Sequence, residues 1–350
     1  MDKDIPFVRD LLGELVSIPT VTGNERAASK LMERVMTEIS DLYRSDGWSN
    51  FEAIINPGGS PKVMVAAHID QIGIQVVEVT EKGYVRIAGV GGWDARVAYG
   101  MRFKLLTDRG ELVGVVNTIP PHMFRARRDL EEKKWEMKDL TLDLGVNDKK
   151  KLEEMGVVPG TYGVPAYDLI DLPEDHVSGP GLDDKSGVAT MLLAGKYLWE
   201  QRNNLRAEVH LVATVQEEIG LRGAQMAAFR IKPDYAIALD VTLAKQPMLE
   251  SDTVIELGKG PAISKGPIYH WEVVEKLIEV AKGEEIPYQI EPDPRGYGTD
   301  TWVIQVSREG VKTGLVSLPL RNMHSPVEVL SLKDVVWSAK LVSAFIAKLG

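Results

Sequence analysis

The feature that most constrains the fold is an apolar run, residues 207–215, followed by two adjacent acidic residues, Glu217 and Glu218. The run contains Glu208, His210 and Thr214 among its apolar residues, and its composition predicts a largely buried strand. Two neighbouring carboxylates at the end of such a strand are costly to bury unless a cation or a shared proton lies between them. The simpler interpretation is a solvated loop that carries two of the chain's 51 acidic residues. This stretch alone leaves both interpretations open.

Other segments carry the same residue types where predicted elements begin or end. These are His68 and Asp70 after residues 62–67, Asp183 and Asp184 before a helix predicted over 186–201, Asp240 after 235–239, and His324 after 314–320. Each has an ordinary alternative, such as a core histidine, a turn residue or, for Asp183, a helix N-cap. In open α/β sheets, however, ligands bind outside the carboxyl ends of the strands. The whole set, in a chain with six histidines, therefore predicts one site.

The residue types of this set predict a metal-dependent hydrolase. Two histidines and three carboxylates suit two hard or borderline divalent cations, and one carboxylate would have to bridge the pair. A further glutamate could take a proton from a metal-bound water and pass it to a leaving amine. The chain has no cysteine, which excludes disulfides and thiolate ligands.

The distribution of helical and strand patterns predicts an α/β fold in which helices sandwich a mixed sheet. Amphipathic or apolar helical patterns alternate with apolar strand patterns in residues 1–72 and 164–350, which we predict to form one catalytic domain. Residues 73–163 instead show short alternating segments separated by glycines. This pattern predicts a small all-β barrel inserted into the first domain. Within it, the densely charged segment 122–137 is predicted to be a mobile loop rather than a solvated helix.

Charge and hydropathy exclude several classes of protein. A net charge of −10 argues against a general nucleic-acid binder and against an anionic-membrane binder. No apolar run approaches the length of a membrane span. The charged N-terminus leads into an amphipathic helix and does not resemble a signal peptide. We therefore expect a cytoplasmic protein.

The motifs around these residues resemble the metal-binding motifs of the M42 family of metallo-aminopeptidases, the tetrahedral, glutamyl-aminopeptidase-like enzymes. The five motifs are His68-Ile69-Asp70, Gly181-Leu182-Asp183-Asp184-Lys185, Gln216-Glu217-Glu218-Ile219-Gly220, Ala238-Leu239-Asp240-Val241 and Arg321-Asn322-Met323-His324-Ser325-Pro326. Gly91-Gly92-Trp93-Asp94, Pro120-Pro121-His122 and Gly298-Thr299-Asp300 agree as well. The resemblance covers nearly the whole chain in the same order.

The resemblance implies a role for each site residue. His68 and Asp240 would bind one metal ion, Glu218 and His324 the other, and Asp183 would bridge the two. Asp70 would orient the ring of His68, and Glu217 would be the general base and acid for a bridging water that attacks the peptide carbonyl. The cofactors would be two Zn²⁺ or Co²⁺ ions per subunit, and the substrates short peptides.

The resemblance also implies self-association. The insert is similar to the family's dimerisation domain, from which a hollow homo-oligomer, commonly a dodecamer built from dimers, is assembled. In such a shell His122, beside the basic residues Arg125, Arg127 and Arg128, could reach a neighbouring subunit's active site.

Two departures from the family pattern stand out. Gln71 replaces the usual glutamate after Asp70, which removes one charge without removing a ligand. Tyr297 and Trp302 are bulkier than the residues usual in that loop, and they either shape the pocket for the N-terminal side chain or are simply packed aromatics.

Three other functions use parts of the same pattern. A two-metal deacylase or carboxypeptidase has the same ligands, but such families place an α+β insert later in the chain. A glycosidase needs two carboxylates about 5 Å or more apart and no histidine pair, and it would survive chelation. A non-enzymatic scaffold could have kept the fold, although the complete ligand set argues against that.

Overall fold

The structure is a computed structural model, and it describes residues 1, 3–120, 122–123, 133–249, 254–296 and 298–349. The chain divides into two units. The larger unit consists of Met1–Asp70, Asp168–Met323 and Val327–Gly350, and the smaller of Gln71–Tyr167 with His324–Pro326. Within the described ranges, no helix combines the length and apolar character needed to cross a bilayer.

An eleven-stranded mixed sheet organises the larger unit. Its strands are β1 (Leu42–Ser45), β2 (Phe51–Ile55), β3 (Lys62–His68), β10 (Ile170–Leu172), β11 (His176–Gly179), β12 (Glu208–Thr214), β13 (Tyr235–Leu243), β14 (Ala262–Lys265), β15 (Gln289–Pro292), β16 (Lys312–Arg321) and β17 (Glu328–Ser331). The four central strands, in the order β12, β3, β13 and β16, are parallel. The flanking pairs of the main strand order are antiparallel. The carboxyl ends of the central strands therefore meet at one edge.

Helices cover this sheet. They are α1 (Asp4–Ser17), α2 (Ser29–Glu38), α5 (Leu182–Glu200), α6 (Arg222–Ile231), α7 (Trp271–Gly283), α8 (Thr301–Ile304) and α9 (Leu332–Ala347). In β3, Val63, Val65 and Ala67 belong to a core shared with α1, α2, α5, α7 and α9. The alternate residues Met64 and Ala66 belong to a second core with α6 and Ile304. Since successive side chains of a strand point to opposite faces, a central strand between two helical layers has to be apolar throughout.

The smaller unit is a closed antiparallel barrel with strand order β4-β5-β8-β7-β6-β9. Its strands are β4 (Gly73–Val79), β5 (Tyr84–Val90), β6 (Arg102–Thr107), β7 (Gly110–Val116), β8 (Thr141–Asp143) and β9 (Tyr162–Pro165), with the short helices α3 (Ala95–Ala98) and α4 (Lys149–Glu154). Alternate residues such as Val85, Ile87, Phe103 and Leu105 fill its own core. Closure leaves no free sheet edge.

The predicted fold class, a mixed sheet between helices with an inserted all-β barrel, is confirmed. One local expectation was wrong: β13 does not end at Asp240 but continues to Leu243, because residues 240–243 pair with β16. In α5, Asp183 and Asp184 have non-helical backbone angles, so the regular helix starts after Asp184, close to the predicted start at residue 186. The carboxylate of Asp184 accepts the hydrogen bond from Gly187 N–H at 3.0 Å. Most of segment 122–137 lies outside the described residues.

A buried charge network joins β1, β2 and β12 near one end of the large sheet. Glu52 is fully buried, and it accepts two hydrogen bonds from Arg44 at 2.6 and 2.9 Å and others from His210 and Arg230. Burial alone would raise the pKa of Glu52, but the bonds from His210 and Arg44 and the charge of Arg230 lower it to about 2. A carboxylate can be buried here because cations surround it.

We predict that Glu52→Gln destabilises the protein by about 3 kcal/mol, because it leaves the four N–H donors of three side chains around an uncharged amide. The melting temperature measured by calorimetry should fall by several degrees. Glu78→Gln is the control, because Glu78 pairs with Arg86 at the surface and such pairs contribute about 1 kcal/mol or less.

The pH dependence follows from the lowered pKa. The stabilisation by Glu52 is fully present above its ordinary pKa of 4.5 and is lost as the pH falls through about 2. The difference in melting temperature between the wild type and Glu52→Gln should therefore become smaller as the pH falls from 4.5 to about 2. A constant difference would contradict the ionic origin of the effect.

Candidate metal centre

The sheet brings most of the predicted site residues to the carboxyl ends of its parallel strands. His68 is the last residue of β3 and lies opposite Thr214, the last residue of β12. Glu217 and Glu218 lie in the loop that follows β12, and Asp240 lies in β13 beyond its last pair with β3. The non-helical start of α5 adds Asp183. Residues far apart in sequence are close here because parallel strands end at the same edge.

The first group of potential metal ligands is His68, Asp183 and Asp240. Each offers one ligand atom, these atoms lie within 4.8 Å of one another, and all three residues are buried. Burying two carboxylates this close together is unfavourable unless a positive charge offsets their repulsion.

A second ion would be held, by the sequence prediction, by Glu218 and His324. His324 lies in the connection between β16 and β17 and belongs to the smaller unit, whereas Glu218 belongs to the larger. The binding of a second ion by these two residues stays a prediction.

The ring of His68 fits a metal ligand. Its Nδ1 lies 3.0 Å from the backbone carbonyl oxygen of Asp70, an acceptor that requires a proton on Nδ1. Its Nε2 faces Asp183 Oδ1 at 3.1 Å and Glu217 Oε2 at 3.8 Å. A neutral ring would turn a lone pair towards two carboxylates, so either a proton or a cation has to lie there.

The pKa values show the same excess of negative charge. Burial opposes protonation of His68, but the charge of Glu217 and contacts with Asp183 and Asp70 raise its pKa well above the ordinary value. Burial and neighbouring carboxylates raise the pKa of Glu217 to about 11 and that of Asp240 to about 7. These buried groups favour an added positive charge, and their donor set of imidazole and carboxylate suits a divalent ion.

Asp70 contacts the site in more than one way. Its carboxylate lies 3.6 Å from Nδ1 of His68, farther than the carbonyl oxygen of the same residue. The carboxylate oxygens accept hydrogen bonds from the backbone N–H groups of Glu217 at 3.1 Å and Glu218 at 3.3 Å. Asp70 therefore holds the two glutamates in place as well as the histidine.

Two carboxylates that were not assigned a role also belong to the site. Asp184 is fully buried and accepts a hydrogen bond from the backbone N–H of His68 at 3.2 Å. Asp300 accepts one from the Thr214 hydroxyl at 2.7 Å, and burial raises its pKa to about 6. Asp300 stands in a motif noticed in the sequence, but its contact with Thr214 depends on long-range packing.

The other residues that the sequence singled out differ in exposure. Gln71 is buried, Trp302 is 44% exposed and His122 is exposed. Tyr297, Arg125, Arg127 and Arg128 lie outside the described residues. The roles suggested for these residues stay predictions.

Gly92 packs against the ring of His324. A Cβ atom on Gly92 would lie 3.0 Å from its Nδ1. A side chain at position 92 would therefore require the imidazole to shift by a few tenths of an ångström.

Comparison with known proteins decides the family. The model of the family described as M42 glutamyl aminopeptidase matches residues 52–341. The chain belongs to this family. The resemblance inferred from the motifs is thereby confirmed, and so is the predicted enzyme class, a peptide hydrolase of the aminopeptidase type.

Individual relatives match over almost their whole length. The lysyl aminopeptidase of Pyrococcus furiosus is 38% identical over 97% of this chain and 97% of its own. Among solved structures, an aminopeptidase of the archaeon Desulfurococcus kamchatkensis has a TM-score of 0.90 and 33% identity, covering 98% of this chain and 95% of its own. The TET1 peptidase of Pyrococcus horikoshii, which can assemble into a tetrahedron or a large octahedral shell, has a TM-score of 0.85 and 31% identity over 96% and 98% of the two chains.

Gly223 provides a test of how the glutamate-bearing loop of this M42 enzyme is held. A Cβ atom on Gly223 would lie 2.4 Å from the backbone nitrogen and oxygen of Val215. We predict that Gly223→Ala lowers stability by about 2–3 kcal/mol and lowers peptidase activity, because the backbone before Glu217 has to shift.

The matched control is Gly47→Ala, since a Cβ atom on Gly47 meets nothing within 4 Å. Melting temperature and aminopeptidase rate should be compared in parallel. A Gly223→Ala variant as stable and active as the control would contradict the close packing described.

Proposed function

We propose that this M42 enzyme removes N-terminal residues from short peptides with two divalent metal ions. The observation that carries the proposal is the buried group of His68, Asp183 and Asp240, whose ligand atoms lie within 4.8 Å of one another. His68 and Asp240 would hold one ion, Glu218 and His324 the other, and Asp183 both. This is the arrangement expected of a pair of ions bridged by a carboxylate.

The bound ions would supply Lewis-acid activation of a water and of the scissile carbonyl, with Zn²⁺ or Co²⁺ the ions that the family resemblance implies. The remaining chemistry belongs to the chain. Glu217 would accept the proton of the attacking water and donate it to the amine that leaves. Its partly buried carboxylate, which faces His68, supports that role.

Asp70 would orient the site in this proposal. Its carbonyl oxygen fixes the tautomer of His68, so that Nε2 is free to bind a metal ion. Its carboxylate holds the N–H groups of Glu217 and Glu218. The general base and a metal ligand thereby keep a fixed separation.

We further propose that residues 1–72 and 164–350 form the catalytic domain and that residues 73–163 mediate dimerisation within a dodecamer. The support is a related structure that is a dodecamer in its asymmetric unit, 31% identical over 96% of this chain. Nucleic-acid and membrane partners are not part of the proposal, and the cytoplasmic location stays a prediction.

Replacement of the general base tests the mechanism. We predict that Glu217→Gln lowers kcat about 10³-fold, because the amide cannot accept the proton. Metal content, measured by mass spectrometry after dialysis, should remain at two ions per subunit. A variant that retains most of its activity would overturn the assignment of Glu217.

The reaction itself is tested with a panel of aminoacyl-p-nitroanilides and their N-acetylated counterparts. After metal removal, Zn²⁺ or Co²⁺ should restore cleavage of the free-amine compounds alone. Cleavage of the acetylated compounds would indicate a deacylase or an endopeptidase. Activity that survives chelation would exclude the metal mechanism.

The same panel would define the preferred N-terminal side chain. The named relatives include a lysyl aminopeptidase and a glutamyl aminopeptidase of Lactococcus lactis, the latter 24% identical to this chain. The preference of this chain is therefore to be measured and is not assigned by similarity.

A further inference from the structure

The loop of residues 215–218, which carries Glu217 and Glu218, is held by side chains through every one of its backbone N–H groups. The N–H of Val215 donates to Asn50 Oδ1 at 3.1 Å, and that of Gln216 donates to Glu25 Oε1 at 3.2 Å. The N–H groups of Glu217 and Glu218 donate to Asp70, as described above. No strand continues through this loop, so side-chain oxygens replace the missing partners.

Gln216 is the position in this loop that most needs external support. Its φ is +55°, a left-handed conformation that is unfavourable for a residue with a side chain. Such a conformation persists when surrounding contacts determine it. Two contacts do so here: the N–H of Gln216 donates to the carboxylate of Glu25, which is 3% exposed, and its carbonyl oxygen accepts from Arg222 N–H at 3.3 Å.

Glu25 belongs to a segment that contacts the site repeatedly. The hydroxyl of Thr20 donates to the carbonyl oxygen of Ile69 at 2.7 Å, and that of Thr22 donates to Asp70 Oδ2 at 2.8 Å. Glu25 itself also accepts a hydrogen bond from Gly23 N–H at 3.0 Å, which fixes its carboxylate within the segment. The turn after α1 thus contacts Ile69 and Asp70 as well as the loop of residues 215–218, which carries the candidate general base.

From this geometry we infer that Glu25 is a positioning residue for Glu217 and Glu218. It acts through the backbone of Gln216, whose left-handed conformation it fixes, and so determines where the next two carboxylates point. The expected effect on catalysis rests on the proposed function. The backbone contact between Glu25 and Gln216 does not. The role requires a hydrogen-bond acceptor at position 25, because both groups that bond there are donors.

The test compares Glu25→Leu with Glu25→Gln. Leucine removes the acceptor, whereas glutamine keeps an oxygen that can accept from Gly23 and Gln216. We expect Glu25→Leu to lower kcat about 100-fold with little change in KM, since misplaced catalytic groups affect the reaction more than substrate binding. Glu25→Gln should stay within about threefold of the wild type, because its amide oxygen preserves both bonds.

Leu31→Ala is the stability control. Leu31 is buried in α2, just after Glu25 in the chain, and its truncation should destabilise the same region without touching the loop. All variants are assayed below their melting temperatures. If Leu31→Ala loses as much kcat as Glu25→Leu, or if Glu25→Gln is as inactive as Glu25→Leu, the positioning role is overturned.

Two further measurements do not depend on activity. Metal titration should show one of the two ions bound about 10–100-fold more weakly in Glu25→Leu, because Glu218 is displaced. Amide hydrogen exchange in the peptide that contains residues 215–218 should be faster in Glu25→Leu than in Leu31→Ala. Unchanged exchange would overturn the inference.

These measurements separate the two proposals. If the wild type cleaves no free-amine substrate with any metal, the proposed function fails. Faster exchange in Glu25→Leu alone would then still support the structural role of Glu25.

Discussion

The desolvation of several carboxylates at one edge of a parallel sheet is the constraint on which the rest of the structure depends. Asp183, Asp184 and Asp240 lie in the interior, with Glu217 beside them and His68 the imidazole they face. Their mutual repulsion in a medium of low polarity raises their affinity for protons, and equally their affinity for divalent cations. The helices on both faces of the sheet keep water from relieving this repulsion.

The chain contains buried carboxylates of two kinds. Glu52 is surrounded by two guanidinium groups and an imidazole, so its pKa is lowered and its charge is compensated within the protein. The carboxylates near His68 lie close to one another, and the pKa values of Glu217 and Asp240 are raised. The first kind stabilises the fold. The second kind suits a site for a cationic ligand.

Holding such a site requires more than its ligands. The glutamates lie on a loop beyond the sheet hydrogen bonds, and its backbone depends on oxygens of Asn50, Glu25 and Asp70. Asp70 and Glu25 are themselves tied to the turn after α1 through Thr22 and Gly23. The N-terminal segment, which supplies none of the proposed ligands, thus contributes to their geometry.

The sequence by itself determined the fold class, the barrel insert and the set of candidate ligands. The reason is that strand periodicity, glycines between short segments and carboxylates after apolar runs are all local signals. It did not determine where β13 ends, since Asp240 to Leu243 extend the strand only by pairing with β16. It also could not assign Glu25, Asn50 or the contact between Asp300 and Thr214. These side chains meet their partners 86 to 191 residues away. Only the parallel packing of the strands, which brings distant chain segments to one edge, decided those contacts.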